Sequence, residues 1–219
     1  MKPLVIFGAG DIARLADFYF RRDGGREVAA FTVDAAFRQE GEFQGRPLVD
    51  FEGLEETHPP SAFDVFVALS YRSMNRLRAE KYGAARARGY ALASYVSSRC
   101  SLLTETPVGD NCFILEDNTI QPFVTIGNDV TLWSGNHIGH DSVIEDHCFV
   151  SSHVVISGHV KVGAYCFLGV NATLRNSVTL APRTLVGAGA LVMKNTREGE
   201  VYVPERTPVF PKKSDQIDL

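Results

Sequence analysis

Residues 137–162 read HIGHDSVIEDHCFVSSHVVISGHVKV, and Ile138, Ile144, Val150, Ile156 and Val162 stand six residues apart. The same beat runs back through Leu132, Ile126, Ile120 and Ile114 to Val108. It runs forward through Leu168, Leu174, Leu180 and Val186 to Val192. Four residues after a beat comes a small or modest side chain, as at Cys112, Asn118, Asn136, Ser142, Cys148, Cys166 and Ala172. A period of six fits neither the 3.6 of a helix nor the 2 of an alternating strand. It predicts a hexapeptide parallel β-helix, in which each hexad makes one short strand and a turn. Three hexads close a triangular coil, so residues eighteen apart stack. Fifteen hexads give five coils, about 24 Å of prism at an inter-strand spacing of ~4.8 Å.

Ahead of the prism the pattern changes. Pro3 to Gly8 reads as an apolar strand that runs into Gly8-Ala9-Gly10-Asp11-Ile12-Ala13. A helix is expected over Asp11–Arg22, with Ile12, Leu15, Ala16, Tyr19 and Phe20 on its inner face, then a strand over Glu27–Val33 closing on Asp34. A glycine-rich turn between strand and helix, with an acidic residue after the second strand, is a way to seat a nucleotide. Gly8 and Gly10 let the backbone approach a phosphate, and the helix N-terminus offers amides to it. A tight turn that binds nothing is the alternative, and NAD(H) is the usual ligand of such turns.

Arg38 to Arg46 reads as a loop, Phe63 to Leu69 as a buried strand, Met74 to Arg88 as a helix and Tyr90 to Val96 as the last strand. Alternating strands and helices imply a mostly parallel α/β sheet covered on both faces. Tyr71 and Arg72, at the carboxyl end of a strand, stand where such sheets bind ligands, although exposed residues capping a helix would look the same. The expected organisation is an α/β domain over 1–100, the prism over 101–199, and a cap and tail over 200–219. Within the last of these, residues 200–204 should fold back on the final coil and 212–219 read as a polar tail.

The 219 residues carry a formal charge of −4, which offers no basic patch and argues against nucleic acid as a partner. No run of eighteen apolar residues occurs, so no membrane span and a cytoplasmic location are expected. Cys112, Cys148 and Cys166 differ by multiples of eighteen and should stack inside one face as small hydrophobes.

Five of six histidines lie between 137 and 159: His137, His140, His147, His153 and His159. None falls on an inward beat, so all should face outward or sit at corners. They could supply a general base, ligate zinc or line a subunit contact. His140 stacks over Gly158, eighteen residues on, and Asp141 follows it. A base beside a bare backbone amide suits acyl transfer, the amide holding the developing oxyanion. No histidine stacks over another, so a zinc site is expected to need ligands from a second subunit. No metal is expected.

The opening VIFGAGDIA, the fifteen hexads, NHIGHDSVIEDHCFVSSHVVISGHVKVG and CFLGVN together resemble the left-handed β-helix acyltransferases that carry an N-terminal Rossmann-like nucleotide-sugar domain. These are aminosugar N-acetyltransferases of the perosamine and bacillosamine type. The resemblance implies left-handed coils, a homotrimer and acetyl-CoA in the groove between neighbouring prisms. It also implies His140 as base, Asp141 beside it, Gly158 at the oxyanion, and Val170 and Ala188 along the pantetheine arm. In the first domain it points to Gly8, Gly10 and Asp11 at the phosphate turn and to Asp34 at the nucleotide base. The chain departs from the family at Gly10-Asp11-Ile12, where relatives have glycine-glycine-histidine, and at Ser70-Tyr71-Arg72, where they have a glycine-asparagine pair. The implied reaction is transfer of acetyl from acetyl-CoA to the amine of a UDP-, GDP- or dTDP-linked sugar, without metal. A sugar O-acetyltransferase, a zinc enzyme like the γ-carbonic anhydrases and a non-catalytic binding protein are the alternatives.

Overall fold

The computed structural model describes residues 1–217. The first unit is built from β1 (Leu4–Phe7), α1 (Asp11–Arg22), β2 (Val28–Val33), β3 (Glu42–Phe43), β4 (Arg46–Asp50), α2 (Leu54–Thr57), β5 (Asp64–Val67) and α3 (Arg76–Ala87). Its sheet has the order β3-β4-β2-β1-β5, parallel except for the β3–β4 hairpin.

The hairpin corrects the expected loop at Arg38–Arg46. Gln44 and Gly45 form its two-residue turn with φ of 50° and 69°, the left-handed pair that matches the twist of a hairpin. Glutamine is an unusual residue for that turn, so the sequence carried no signal. Helix α1 buries Ala13, Ala16 and Phe20, with Ile12 and Tyr19 at the margin. It also buries Asp17, whose carboxylate takes Arg21 from the next helical turn and Arg46 from the hairpin.

Three parallel sheets wall the prism, with four, six and seven strands. One runs through Thr125–Ile126 to Thr179–Leu180, one from Ser101–Leu102 to Leu191–Val192, and the longest from Tyr95–Val96 to Val201–Tyr202. Register advances by eighteen, as in Thr131↔Phe149 and His137↔Val155. Every beat residue from Ile114 to Val192 is at most 4 % exposed, and the residues four places on, from Asn118 to Ala190, are equally buried. Burial lifts the Cys112 thiol to about 12, so this cysteine is an inert hydrophobe at neutral pH.

The corners have one rule. Asn111, Asp117, Phe123, Asp129, Gly135, Asp141, His147, His153, His159, Tyr165, Asn171, Ser177, Arg183 and Gly189 all hold φ between 54° and 78°. Asn, Asp, His and Gly tolerate this left-handed region best, and they fill ten of the fourteen places. Three of the five clustered histidines are therefore where a turn needs a residue of this kind.

Tyr90–Val96 is not one strand of the first sheet. Leu92 makes a single bridge to Val65, while Tyr95–Val96 pairs with Phe113–Ile114 and opens the prism. At the far end Val201–Tyr202 pairs with Leu185–Val186, as expected of a cap. The tail beyond is exposed up to Ile217, and the last two residues of the expected polar segment lie outside the described residues.

The two units are bonded through a buried network. The expected helix from Met74 begins at Arg76, because Ser73, Met74 and Asn75 are left-handed, with φ of 55°, 53° and 64°. This turn buries Asn75, whose amide donates to the carbonyls of Tyr165 and Cys166 in the prism. Arg78, fully buried, donates to the Asp129 carboxylate at 3.0 Å, the Asp129 carbonyl at 2.9 Å and the Cys148 carbonyl at 3.1 Å. The amide of Asn111 closes on both backbone groups of Val67 at the edge of β5.

Candidate active site

His140 and Asp141 occupy the corner between the six- and four-stranded sheets, with Gly158 and His159 one coil on. Two groups hold the corner rigid. Ser142 is buried, donating to the Ser157 carbonyl and accepting from the Val160 amide. The Gln121 side chain accepts from the His140 amide at 2.9 Å.

The imidazole is half exposed and lies 2.7 Å from Asp141 through Nδ1. An ionised carboxylate can only accept, so Nδ1 carries the proton and Nε2 keeps its lone pair. That Nε2 lies 2.8 Å from where a Cβ on residue 158 would stand. Among the described residues the Gly158 N–H donates to no protein acceptor, while the amides on either side are used: Ser157 to Leu174 and His159 to His140. Sequence stacking thus placed His140 beside Gly158 correctly. It overlooked His159, whose Nε2 is 3.9 Å from the same Asp141 oxygen and whose ring is 4.9 Å from that of His140. The two histidines are nineteen apart, but His159 stands eighteen residues after Asp141, so the column of Asp141 was the signal that could have found it.

Not all the histidines face outward. His147 is largely covered, its Nδ1 is 2.9 Å from the buried Asp129 carboxylate, and its ring lies against Tyr82 and Tyr165. It belongs to the Arg78 network between the two units. His153 repeats the histidine-over-glycine stacking against Gly135 without a carboxylate beside it.

Val170 and Ala188 stack on a different corner, between the seven- and six-stranded sheets, and both are exposed. A single chain does not bring them to His140. In the first unit Gly8, Gly10, Asp34, Tyr71 and Arg72 gather at the carboxyl ends of β1, β2 and β5. Gly8 holds φ of 128°, and a Cβ there would strike the Ala68 carbonyl at 2.8 Å. Asp11 is exposed to solvent and pairs with Arg14. Ala9, Gly10, Asp11, Arg14, Phe43 and Gln44 line a cleft of about 340 Å³. Asp34 is met by Lys81 of α3 at 2.8 Å, a partner that sequence reasoning missed because only the fold brings α3 back to β2. Tyr71 packs on Phe149 and Phe167 of the prism, so part of its role is structural.

No helix among the described residues is long and apolar enough to cross a membrane. The bacterial transferase hexapeptide family, described as six repeats, matches residues 123–158. The structure is similar to perosamine N-acetyltransferase from Caulobacter crescentus in complex with CoA and GDP-perosamine, at 25 % identity and a TM-score of 0.80, covering 92 % of this chain and 93 % of that one. It shares its fold with the acetyltransferase domain of PglB from Neisseria gonorrhoeae FA1090 in complex with acetyl coenzyme A, at 20 % identity and a TM-score of 0.81, covering 93 % and 99 %. WeeI from Acinetobacter baumannii AYE has the same fold, at 17 % identity and a TM-score of 0.77, covering 92 % and 96 %. A repeat assigned to transferases, carried behind an α/β unit as in these acetyltransferase structures, marks the chain as an acyltransferase similar to perosamine N-acetyltransferase.

Proposed function

We propose that the protein transfers an acetyl group from acetyl-CoA to the amine of a nucleotide-linked aminosugar. The observation that carries this reading is the His140 imidazole, backed by Asp141 and set against the free N–H of Gly158. Nε2 of His140 takes a proton from the attacking amine, and Asp141 stabilises the imidazolium that forms. The Gly158 N–H donates to the oxyanion of the tetrahedral intermediate. Its collapse expels the CoA thiolate, which takes up a proton, and leaves the amide.

In this reading Val170 and Ala188 line the pantetheine arm from a second copy, because they occupy another corner of the prism. A homotrimer of left-handed prisms provides that meeting of corners. The first domain, Rossmann-like, holds the nucleotide at Gly8, Gly10 and Asp11, with Asp34 accepting from the nucleoside and Tyr71 and Arg72 near the sugar. Support for these substrates comes from CoA and GDP-perosamine bound by the Caulobacter enzyme. Incubation with acetyl-CoA and a panel of UDP-, GDP- and dTDP-linked amino sugars should release thiol with at least one acceptor. No release with any of them would remove the reading.

Two substitutions probe separate parts of it. Gly158→Ala puts a methyl group where His140 Nε2 now leaves 2.8 Å, so the ring must swing off the amide. Turnover should fall by about 10²-fold or more, as for a displaced base, while the thermal midpoint stays close to wild type. Asp34→Ala removes a charged acceptor worth about 1.5–3 kcal/mol per hydrogen bond, so KM for the nucleotide sugar should rise roughly 10–100-fold. The kcat at saturation should barely change, because the contact is remote from the reacting carbon.

A further inference from the structure

We infer that His140, Asp141 and His159 form a zinc site that switches the catalytic base off. Each of the three brings one donor atom within 4.8 Å of the others, and all three are open to solvent. Nδ1 of His140 and Nε2 of His159 approach one oxygen of Asp141, at 2.7 and 3.9 Å. Two imidazole nitrogens and a carboxylate, with water free to complete a tetrahedron, are a donor set that zinc prefers. The ligands come from one corner of one chain, so no second subunit is needed.

The consequence for the base follows from proton placement. In the resting arrangement Nδ1 carries the proton and Nε2 the lone pair. Zinc on Nδ1 needs that nitrogen's lone pair, so its proton is lost to water and Nε2 takes one up. The imidazole stays neutral and the balance of protons is unchanged. Nε2 then points a proton at the acyl site and can no longer accept one from an amine. Asp141 is held by the metal and no longer orients the ring.

The loss of activity rests on the role proposed for His140, whereas binding of the metal does not. His153 provides the comparison: it has the left-handed backbone of His159 and, like His140, faces a glycine, but no carboxylate stands beside it.

The test uses the full-length protein, stripped with chelator and titrated with zinc chloride in a calorimeter. One zinc per chain is expected. His159→Asn keeps the left-handed backbone and should weaken the affinity at least about 10-fold, since loss of an outer-shell partner alone costs that much. His153→Asn should leave it unchanged. In the transferase assay, acetylated product is followed by mass spectrometry, because the released thiol itself binds zinc. Zinc should stop the wild type, a chelator should restore it, and His159→Asn should keep its own metal-free rate when zinc is added. Absence of saturable binding, or binding that His159→Asn does not weaken, overturns the site. Equal inhibition of wild type and His159→Asn overturns the switch. If no acceptor is acetylated at all, the proposed function falls while the titration still decides the site.

Discussion

His140→Ala should lower turnover by about 10²–10⁴-fold, the usual worth of a positioned general base, with little change in KM for either substrate. The side chain is half exposed and touches its neighbours mainly through Asp141. The backbone bond from the His140 amide to Gln121 survives the substitution, as does the buried Ser142 that fixes the corner. Stability should therefore stay within about 0.5 kcal/mol of wild type, as for other surface changes. Steady-state kinetics beside a thermal melt separates the two effects. Turnover close to wild type in a folded His140→Ala would end its assignment as the base.

The largest effect on stability should come from Arg78→Ala. Arg78 and Asp129 are both fully buried, and the guanidinium also satisfies two carbonyls of the prism. Removing one partner of such a pair leaves the other's charge in a low dielectric, at a cost of about 3–5 kcal/mol. His147 and Asn111 remain on the Asp129 carboxylate and offset part of this. The loss should appear in urea denaturation as an earlier transition, or as two transitions if the α/β unit leaves the prism before the prism unfolds. A shift below about 1 kcal/mol would mean that the network adds specificity to the docking but little stability.

How legible each part was depended on the range of the interactions behind it. The prism was written in the beat itself: every residue from Ile114 to Val192 on that beat is buried, and strands follow at the same interval. Its start was not, although Val96 and Leu102 continue the count of six. A strand joining two units belongs by sequence to either, and only pairing with Phe113–Ile114 assigns it. The stacking of His140 on Gly158 was legible because columns repeat at eighteen, and the same interval sets His159 on Asp141. Asn75, Arg78 and Lys81 look like the polar face of an amphipathic helix, and their partners lie 47 to 91 residues away in the chain. No local pattern reports such pairs.

The run of left-handed corners has a bearing on how this chain can change. Deleting one residue anywhere between Asn111 and Gly189 would shift every later side chain by one place. Val154 and Val160 would then inherit left-handed backbone that branched side chains resist, while Glu145 and Arg175 would be brought to core places. A slip of six would keep each side chain in its class but would carry His140 to another edge of the triangle. Only whole turns of eighteen leave both the packing and the chemistry in place. The prism should therefore lengthen or shorten by entire storeys, with smaller insertions pushed out as loops.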